Sequence, residues 1–245
     1  MRVHRYFIST LDAWVPTTVS TVALVGDSIT DGRGSDTDKN DRWPDLLLAR
    51  LQASRDPFLT SLALGNQAAG GNRILADGLG PNAIGRFDRD VLPQPGVKYA
   101  LIFEGVNDIG DADTTTAAQQ AIGDVIIAAF KQFVLRAHAA GIPMFAATIT
   151  PFSEPNFNVT VQPYSSAVRE KTRQRVNDFI RNGGWFDAVA DFDAVVREPT
   201  APYRLQDKYN SGDYLHPNVA GYTAIAKAFP VQIFKQFVLG VDGYA

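Results

Sequence analysis

The sequence predicts an α/β fold in which a parallel sheet is covered by helices on both faces. Three observations predict it. Strand-like and helix-like patterns alternate along the chain. No repeat, low-complexity segment or interdomain linker interrupts the alternation. The residues with chemical potential fall in loops that follow strands. Alternating strands and helices favour parallel pairing, and in such sheets ligands bind beyond the carboxyl ends of the strands.

The elements follow in order. Thr21–Gly26 is a short β-rich run that ends in glycine, the first strand. Trp43–Gln52 reads as a helix, with Pro44 in its first turn and leucines on one face. Leu59–Gly65 is the second strand, and Ala83–Leu92 a short helix ended by Pro93. Val97–Glu104 is the third strand, carrying Tyr99, Leu101, Ile102 and Phe103. Thr116–Ala140 is a long amphipathic helix stopped by Gly141 and Pro143. Met144–Thr148 is the fourth strand and Ala188–Phe192 the fifth. Between them Ser166–Asn182 is a helix with a charged face, stopped by Gly183-Gly184; Val219–Phe229 is the closing helix. Near the start, Tyr6-Phe7-Ile8 is also strand-like.

Composition narrows the functional classes. A chain of 245 residues fits one large α/β domain or two small ones, and 45% hydrophobic residues suffice for a packed core. The formal net charge is −3 and the basic residues are scattered, so no nucleic-acid footprint is expected. Without cysteine there are neither disulfides nor thiolate metal sites. Three histidines and no cysteine give no zinc spacing. The acidic loop Asp31–Asp41 fails as an EF-hand: the register Asp36-x-Asp38-x-Asn40 lacks the next glycine and has Leu47 where the bidentate acid belongs. It reads as a solvated loop, with a surface cation site as the alternative. Phosphate-cradling glycine motifs are missing too. No metal and no cofactor are expected. No apolar run is long enough to span a bilayer, and the first residues lack the apolar stretch of a signal peptide. The abrupt start reads as a trimmed part of a longer precursor, with residues 1–20 an N-terminal extension.

The most informative segment is Asp213-Tyr214-Leu215-His216. An acid three residues before a histidine can reach its ring on one short loop, fix the imidazole tautomer and leave the other nitrogen free as a base. The same spacing also serves capping or surface pairing, and Asn218 could cap the final helix. His4 and His138 read as solvent-facing or structural, His138 because a cation suits a helix C-terminus. A base calls for a nucleophile, and Ser28 in Gly26-Asp27-Ser28 follows the first strand. Serine at such a turn is equally an N-cap or turn former, so Ser28 is judged by its companions. Acyl transfer further needs donors aimed at a developing oxyanion. Asn66–Gly71 follows the second strand and Gly105-Val106-Asn107-Asp108 the third; each is also an ordinary turn. Asp27, Trp43 and Tyr214 are candidate substrate contacts, with helix anchoring the alternative for Trp43. The aromatic stretch Pro151–Tyr164 reads either as a wall of the cleft or as a loop packed on the core. Arg33 and Arg73 read as solvent-facing, or as anchors for a polar substrate. Glu104 is expected to hydrogen-bond nearby loop backbone.

Taken in order, these blocks resemble the SGNH hydrolase family, the GDSL esterases and lipases. The resemblance rests on Gly26-Asp27-Ser28, Asn66 to Gly71, Gly105-x-Asn107-Asp108 and Asp213-x-x-His216, which span about four fifths of the chain. It implies a flavodoxin-like three-layer α/β/α sandwich with a five-stranded parallel sheet. Position by position, it implies Ser28 as nucleophile, His216 as base and Asp213 as its orienting acid. The backbone N–H groups of Ser28 and Gly71, with the Asn107 side chain, would form the oxyanion hole. Ile29-Thr30 departs from the leucine-containing form of the first block. Asp31-Gly32-Arg33-Gly34-Ser35 and Asn40-Asp41-Arg42-Trp43-Pro44 resemble secreted fungal and bacterial members, in which an N-terminal β-rich domain often precedes this one.

The expectation is one catalytic domain over residues 1–245, a serine esterase acting on small carboxylic esters through an acyl-enzyme. Deacetylation of carbohydrate is the substrate class that the resemblance to secreted members suggests. A lipid acylhydrolase is the alternative among enzymes, and a non-catalytic ligand-binding domain the alternative class. The expected partner is a small-molecule or carbohydrate ester, with no nucleic acid and no membrane. The chain is expected to be a monomer or weak homodimer and, by the resemblance, extracellular.

Overall fold

The computed structural model describes residues 13–243; His4 and the strand-like Tyr6-Phe7-Ile8 lie outside them. Five parallel strands form the central sheet: β1 (Ser20–Gly26), β2 (Leu62–Asn66), β3 (Val97–Phe103), β4 (Met144–Ala147) and β5 (Ala188–Ala190), in the order β2-β1-β3-β4-β5. Register runs from Ser20 against Leu62 and Ala23 against Ala100 to Ala146 against Val189. The helices are α1 (Ser28–Asp31), α2 (Trp43–Gln52), α3 (Pro57–Thr60), α4 (Ala83–Asp90), α5 (Val106–Asp111), α6 (Thr116–Ala139), α7 (Ala167–Asn182), α8 (Phe192–Val196), α9 (Val219–Ala228) and α10 (Ile233–Gln236). A small antiparallel pair, β6 (Arg197–Glu198) and β7 (Ala201–Leu205), adds a hairpin. Helices α2, α8 and α9 pack together as one outer layer, and α4, α5, α6 and α7 as the other. This is the expected α/β/α sandwich.

Alternation along the strands sorts the core into two layers. Tyr99, Phe103 and Phe145 point to one face, where they meet Phe192 and Phe234. Trp43 completes that cluster against Phe192 and Phe229. On the other face Phe87 packs edge-on to Phe133, and Phe130 to Phe186. All these rings except Phe186 are almost wholly withdrawn from water.

Two expected boundaries shift, each because a side-chain cap starts a helix. Leu59 lies in α3, not in the second strand: Asp56 accepts the Phe58 N–H at 3.1 Å and Pro57 fills the first helical position. The fifth strand stops at Ala190, because Asp191 caps α8 by accepting the Ala194 N–H. Among the described residues no helix is long and apolar enough to cross a membrane.

A buried ionic cluster ties the hairpin to the sheet. Arg173, fully buried on α7, donates to Asp193 at 2.6 Å, Glu170 at 2.7 Å, and the carbonyls of Ile149 and Pro202 at 2.8 and 2.9 Å. Asp193 also receives Arg181 at 2.5 Å and Arg197 at 2.8 Å. Every guanidinium nitrogen of Arg173 faces an acceptor, and the cluster anchors the chain that leaves β4 toward the site. Removing Arg173 takes a buried cation from Asp193 and Glu170 and a donor from the Pro202 carbonyl. Arg173→Ala should lower unfolding free energy by about 3–5 kcal/mol, measured by urea denaturation; a loss under about 1 kcal/mol would mean that water replaces the guanidinium.

Candidate active site

Parallel strands bring their carboxyl ends to one edge, and the loops beyond β1, β2 and β3 meet there. Asp27 stops β1 and starts α1: its Oδ1 accepts the Ile29 N–H at 2.8 Å. Ser28 is thereby the first residue of a four-residue helix. Gly26 must lack a side chain, since a Cβ there would lie 2.5 Å from Thr30. Thr30 in turn accepts the Trp43 indole N–H at 3.2 Å, and its carbonyl accepts Asn66 at 3.1 Å.

His216 sits on a loop closed by its own backbone. Residues Asn210 and Pro217 pair, and Ser211 N–H donates to the His216 carbonyl at 3.0 Å. Inside this ring the Asn210 carboxamide accepts the N–H groups of Gly212 and Tyr214. Asp213 Oδ1 accepts the N–H groups of Leu215 at 3.0 Å and His216 at 2.8 Å, while Oδ2 lies 2.6 Å from His216 Nδ1. The opposite ring nitrogen, Nε2, lies 2.7 Å from Ser28 Oγ, 188 residues away in sequence. His216 is 3% exposed. Burial opposes the Asp213 charge, but the hydrogen bonds from the His216 ring, the His216 backbone and Leu215 outweigh it and hold the carboxyl well below its ordinary range.

Gly34 lets the two loops touch. Its φ of +95° suits glycine, and a Cβ there would stand 2.3 Å from the Pro217 carbonyl oxygen. Tyr222 on α9 adds a second tie, its hydroxyl donating to the Arg33 carbonyl.

The segment after β2 runs beside the end of β1, with Gln67 N–H on the Leu24 carbonyl at 2.9 Å and Ala69 N–H on the Gly26 carbonyl at 3.0 Å. Gly71 turns at φ +72°. Its neighbour Asn72 presents a carbonyl that accepts Asn107 Nδ2 at 2.8 Å. Asn107 lies in α5, and the next residue, Asp108, accepts the N–H groups of Ile74 and Leu75 at 2.9 and 3.1 Å. The second and third blocks are therefore joined to each other directly.

Several sequence expectations are corrected. Trp43 is fully buried and anchors α2, so it offers no face to a substrate. Asp27 is 1% exposed and committed to capping α1, so it too is no substrate contact. Tyr214 is half-buried, with φ +60°. Glu104 is buried, and the nearby Gly105 backbone favours its charge as expected, though no well-formed hydrogen bond reaches either carboxyl oxygen. The stretch Pro151–Tyr164 packs on the core, one of the two readings, and also reaches the His216 loop. Phe152 is core, while Gln162 Nε2 donates to the Asp213 carbonyl at 2.6 Å. Arg33 is 70% exposed and stands 4.0 Å from Asp213; Arg73 pairs with Asp111 at 3.3 Å. His138 bonds Asp187 at 2.8 Å, well away from Ser28 in the chain. Gln162, Asn210, Gly34 and Tyr222 support the site and were not singled out from sequence; their partners are distant or reached only through the loop's fold.

With this geometry described, comparison with known proteins is informative. The profile of the GDSL-like lipase/acylhydrolase family matches residues 24–224. The chain belongs to that family, and by that membership it is a carboxylic ester hydrolase. Among solved structures it resembles Axe2, an acetylxylan esterase from Geobacillus stearothermophilus, at 20% identity and TM-score 0.60, over 89% of this chain and 96% of that one. It also resembles a GDSL-like lipase from Bacteroides thetaiotaomicron at 16% identity and TM-score 0.59, over 92% and 93%. The likeness to TesA is 18% identity and TM-score 0.58, over 89% and 99%. At such identities the likeness is one of fold. No curated protein matches the chain significantly.

Beneath Ser28 three acids lie close enough to repel one another. Burial, then the nearby Asp108 charge, push Asp27 up to about 7 against the lowering effect of the Ile29 N–H. Burial and the charges of Asp27 and Asp108 push Glu104 well above its ordinary range; Arg86, 3.9 Å away, offsets part of this. An acid with a raised folded pKa binds more protons folded than unfolded, so stability falls as pH rises between the unfolded and folded values. For Asp27 that window runs from 3.8 to about 7. Asp27→Asn keeps the capping oxygen and removes the titration. Its stability relative to wild type should rise between about pH 4 and about pH 7 and then level, followed by urea unfolding across pH. A difference that ignores pH would refute the raised value.

Proposed function

We propose that the chain is a serine esterase working through an acyl-enzyme, with Ser28 as nucleophile, His216 as base and Asp213 as the acid that orients it. The observation that carries this reading is the continuous hydrogen-bonded line from Asp213 through both ring nitrogens of His216 to Ser28 Oγ, at 2.6 and 2.7 Å. A hydroxyl in that position can be deprotonated as it attacks.

The steps follow from the roles. Ser28 Oγ bonds to the ester carbonyl carbon while its proton passes to His216 Nε2, and Asp213 steadies the imidazolium. The carbonyl oxygen takes the negative charge, held by the N–H groups of Ser28 and Gly71 and by the Asn107 carboxamide. Collapse expels the alcohol, which takes the proton from His216. Water then attacks the acyl-enzyme, gives its proton to His216, and releases the carboxylic acid as Ser28 recovers its hydrogen.

The substrate proposed is a small ester, with O-acetylated carbohydrate as the natural class. The supports are the fold likeness to an acetylxylan esterase and the polar loops around the site. The second reading, a lipid acylhydrolase, draws on exposed apolar residues: Leu79, whose side chain lies over Gly71, and Val159 and Val161 on the loop that reaches Asp213. Secretion is proposed on the resemblance to secreted members of the family.

Hydrolysis of p-nitrophenyl acetate, butyrate and octanoate, beside acetylated xylan, tests the reading. Ser28→Ala should abolish turnover. Asn107→Ala should lower kcat about 100- to 1000-fold with the fold retained, as for loss of one oxyanion donor. Preference for acetyl esters supports the carbohydrate reading, and preference for octanoate the lipid one. A folded wild type inert towards all of them would leave a ligand-binding domain.

A further inference from the structure

Asn107 can serve an oxyanion only if its amide presents N–H, not C=O, toward the reacting carbonyl. Two neighbours bear on that choice. The Asn72 carbonyl can only accept, so it faces Nδ2 at 2.8 Å. On the other side the Tyr164 hydroxyl lies 3.2 Å from Asn107 Oδ1, 57 residues along the chain. A phenol donates there, which completes the orientation and leaves the second Nδ2 hydrogen uncommitted.

Tyr164 is itself held. Its ring occupies the space above Gly110, where a Cβ would fall 2.4 Å from ring carbons, so the residue three after Asn107 has no room for a side chain. Phe152 meets the ring edge-on at 6.3 Å. The same hydroxyl lies 3.0 Å from Asp111 Oδ1, whose other oxygen faces Arg73 at 3.3 Å. One proton is thus shared between Asn107 and Asp111, and the arginine draws charge from the competing acceptor.

We infer that Tyr164 is a positioning residue for the esterase reaction: its hydroxyl fixes the Asn107 carboxamide in the orientation that stabilises the oxyanion. The inference rests on the reading of Asn107 as an oxyanion donor. Tyr164 touches neither the nucleophile nor the base in this scheme, so it acts through Asn107 alone.

A double-mutant cycle on p-nitrophenyl acetate hydrolysis tests it. Tyr164→Phe keeps the ring on Gly110 and removes only the hydroxyl. It should lower kcat about tenfold, leave KM within about twofold, and leave the thermal midpoint near that of wild type. In an Asn107→Ala background the same change should lower kcat no further. A Tyr164→Phe enzyme with wild-type kcat overturns the inference while Asn107→Ala still loses activity. Equal losses in both backgrounds also overturn it, because Tyr164 would then act by another route, such as the Gln162 contact with Asp213. Wild-type kcat in Asn107→Ala would remove the oxyanion reading itself, and the inference with it.

Discussion

Asp213 divides its two oxygens between backbone and ring. Oδ1 takes two N–H groups of its own loop, and Oδ2 takes the imidazole. The first pair of bonds fixes where the carboxylate stands, so the third can fix where the ring points. The site's remaining geometry follows from that. With Nδ1 committed, Nε2 faces Ser28, and the close approach of Gly34 to Pro217 keeps the two loops at hydrogen-bonding range. A carboxylate free to swing would lose its advantage to entropy; here the two N–H groups, the imidazole and the Ser211 hydroxyl hold it.

The charged interior is organised differently above and below the sheet's carboxyl edge. Around Arg173 each charge has several partners, so the cluster works as a rigid joint between α7, the end of β4 and the hairpin. Under Ser28 the acids Asp27, Glu104 and Asp108 face backbone N–H groups and two arginines, Arg86 beside Glu104 and Arg73 near Asp108. Burial there favours the protonated forms, and Glu104, with no well-formed hydrogen bond to either oxygen, is raised well above its ordinary range. Each proton retained there relieves the repulsion among the three acids.

The loop after β4 links the two halves of the site. Gln162 holds the Asp213 backbone and Tyr164 faces Asn107, while the amide of Tyr164 donates to the Gln162 side chain at 3.0 Å. The Asp213–His216–Ser28 line and the Asn107 carboxamide are therefore braced by two nearby positions of one segment. The buried arginine cluster at its root explains how an irregular stretch can hold such fixed positions.

By itself the sequence determined the layers and the order of the blocks. Apolar strands and capped amphipathic helices alternate strongly enough that Trp43–Gln52 falls where expected, and family membership follows from Ser28, Asn107 and Asp213-x-x-His216 in sequence. Both signals are local: periodicity, caps and short motifs need no distant partner. Only the tertiary structure decided which face each residue turns to and what braces it. Trp43 is a candidate from sequence as an aromatic that could stack on a sugar, and Asp27 as the residue before Ser28, yet one packs into the aromatic core and the other caps a helix. Gln162 left no signal of its own, and Tyr164 was legible only as one aromatic of the Pro151–Tyr164 stretch, because their partners lie more than fifty residues away. Burial and long-range hydrogen bonds are properties of the folded arrangement, and a chain read one window at a time does not contain them.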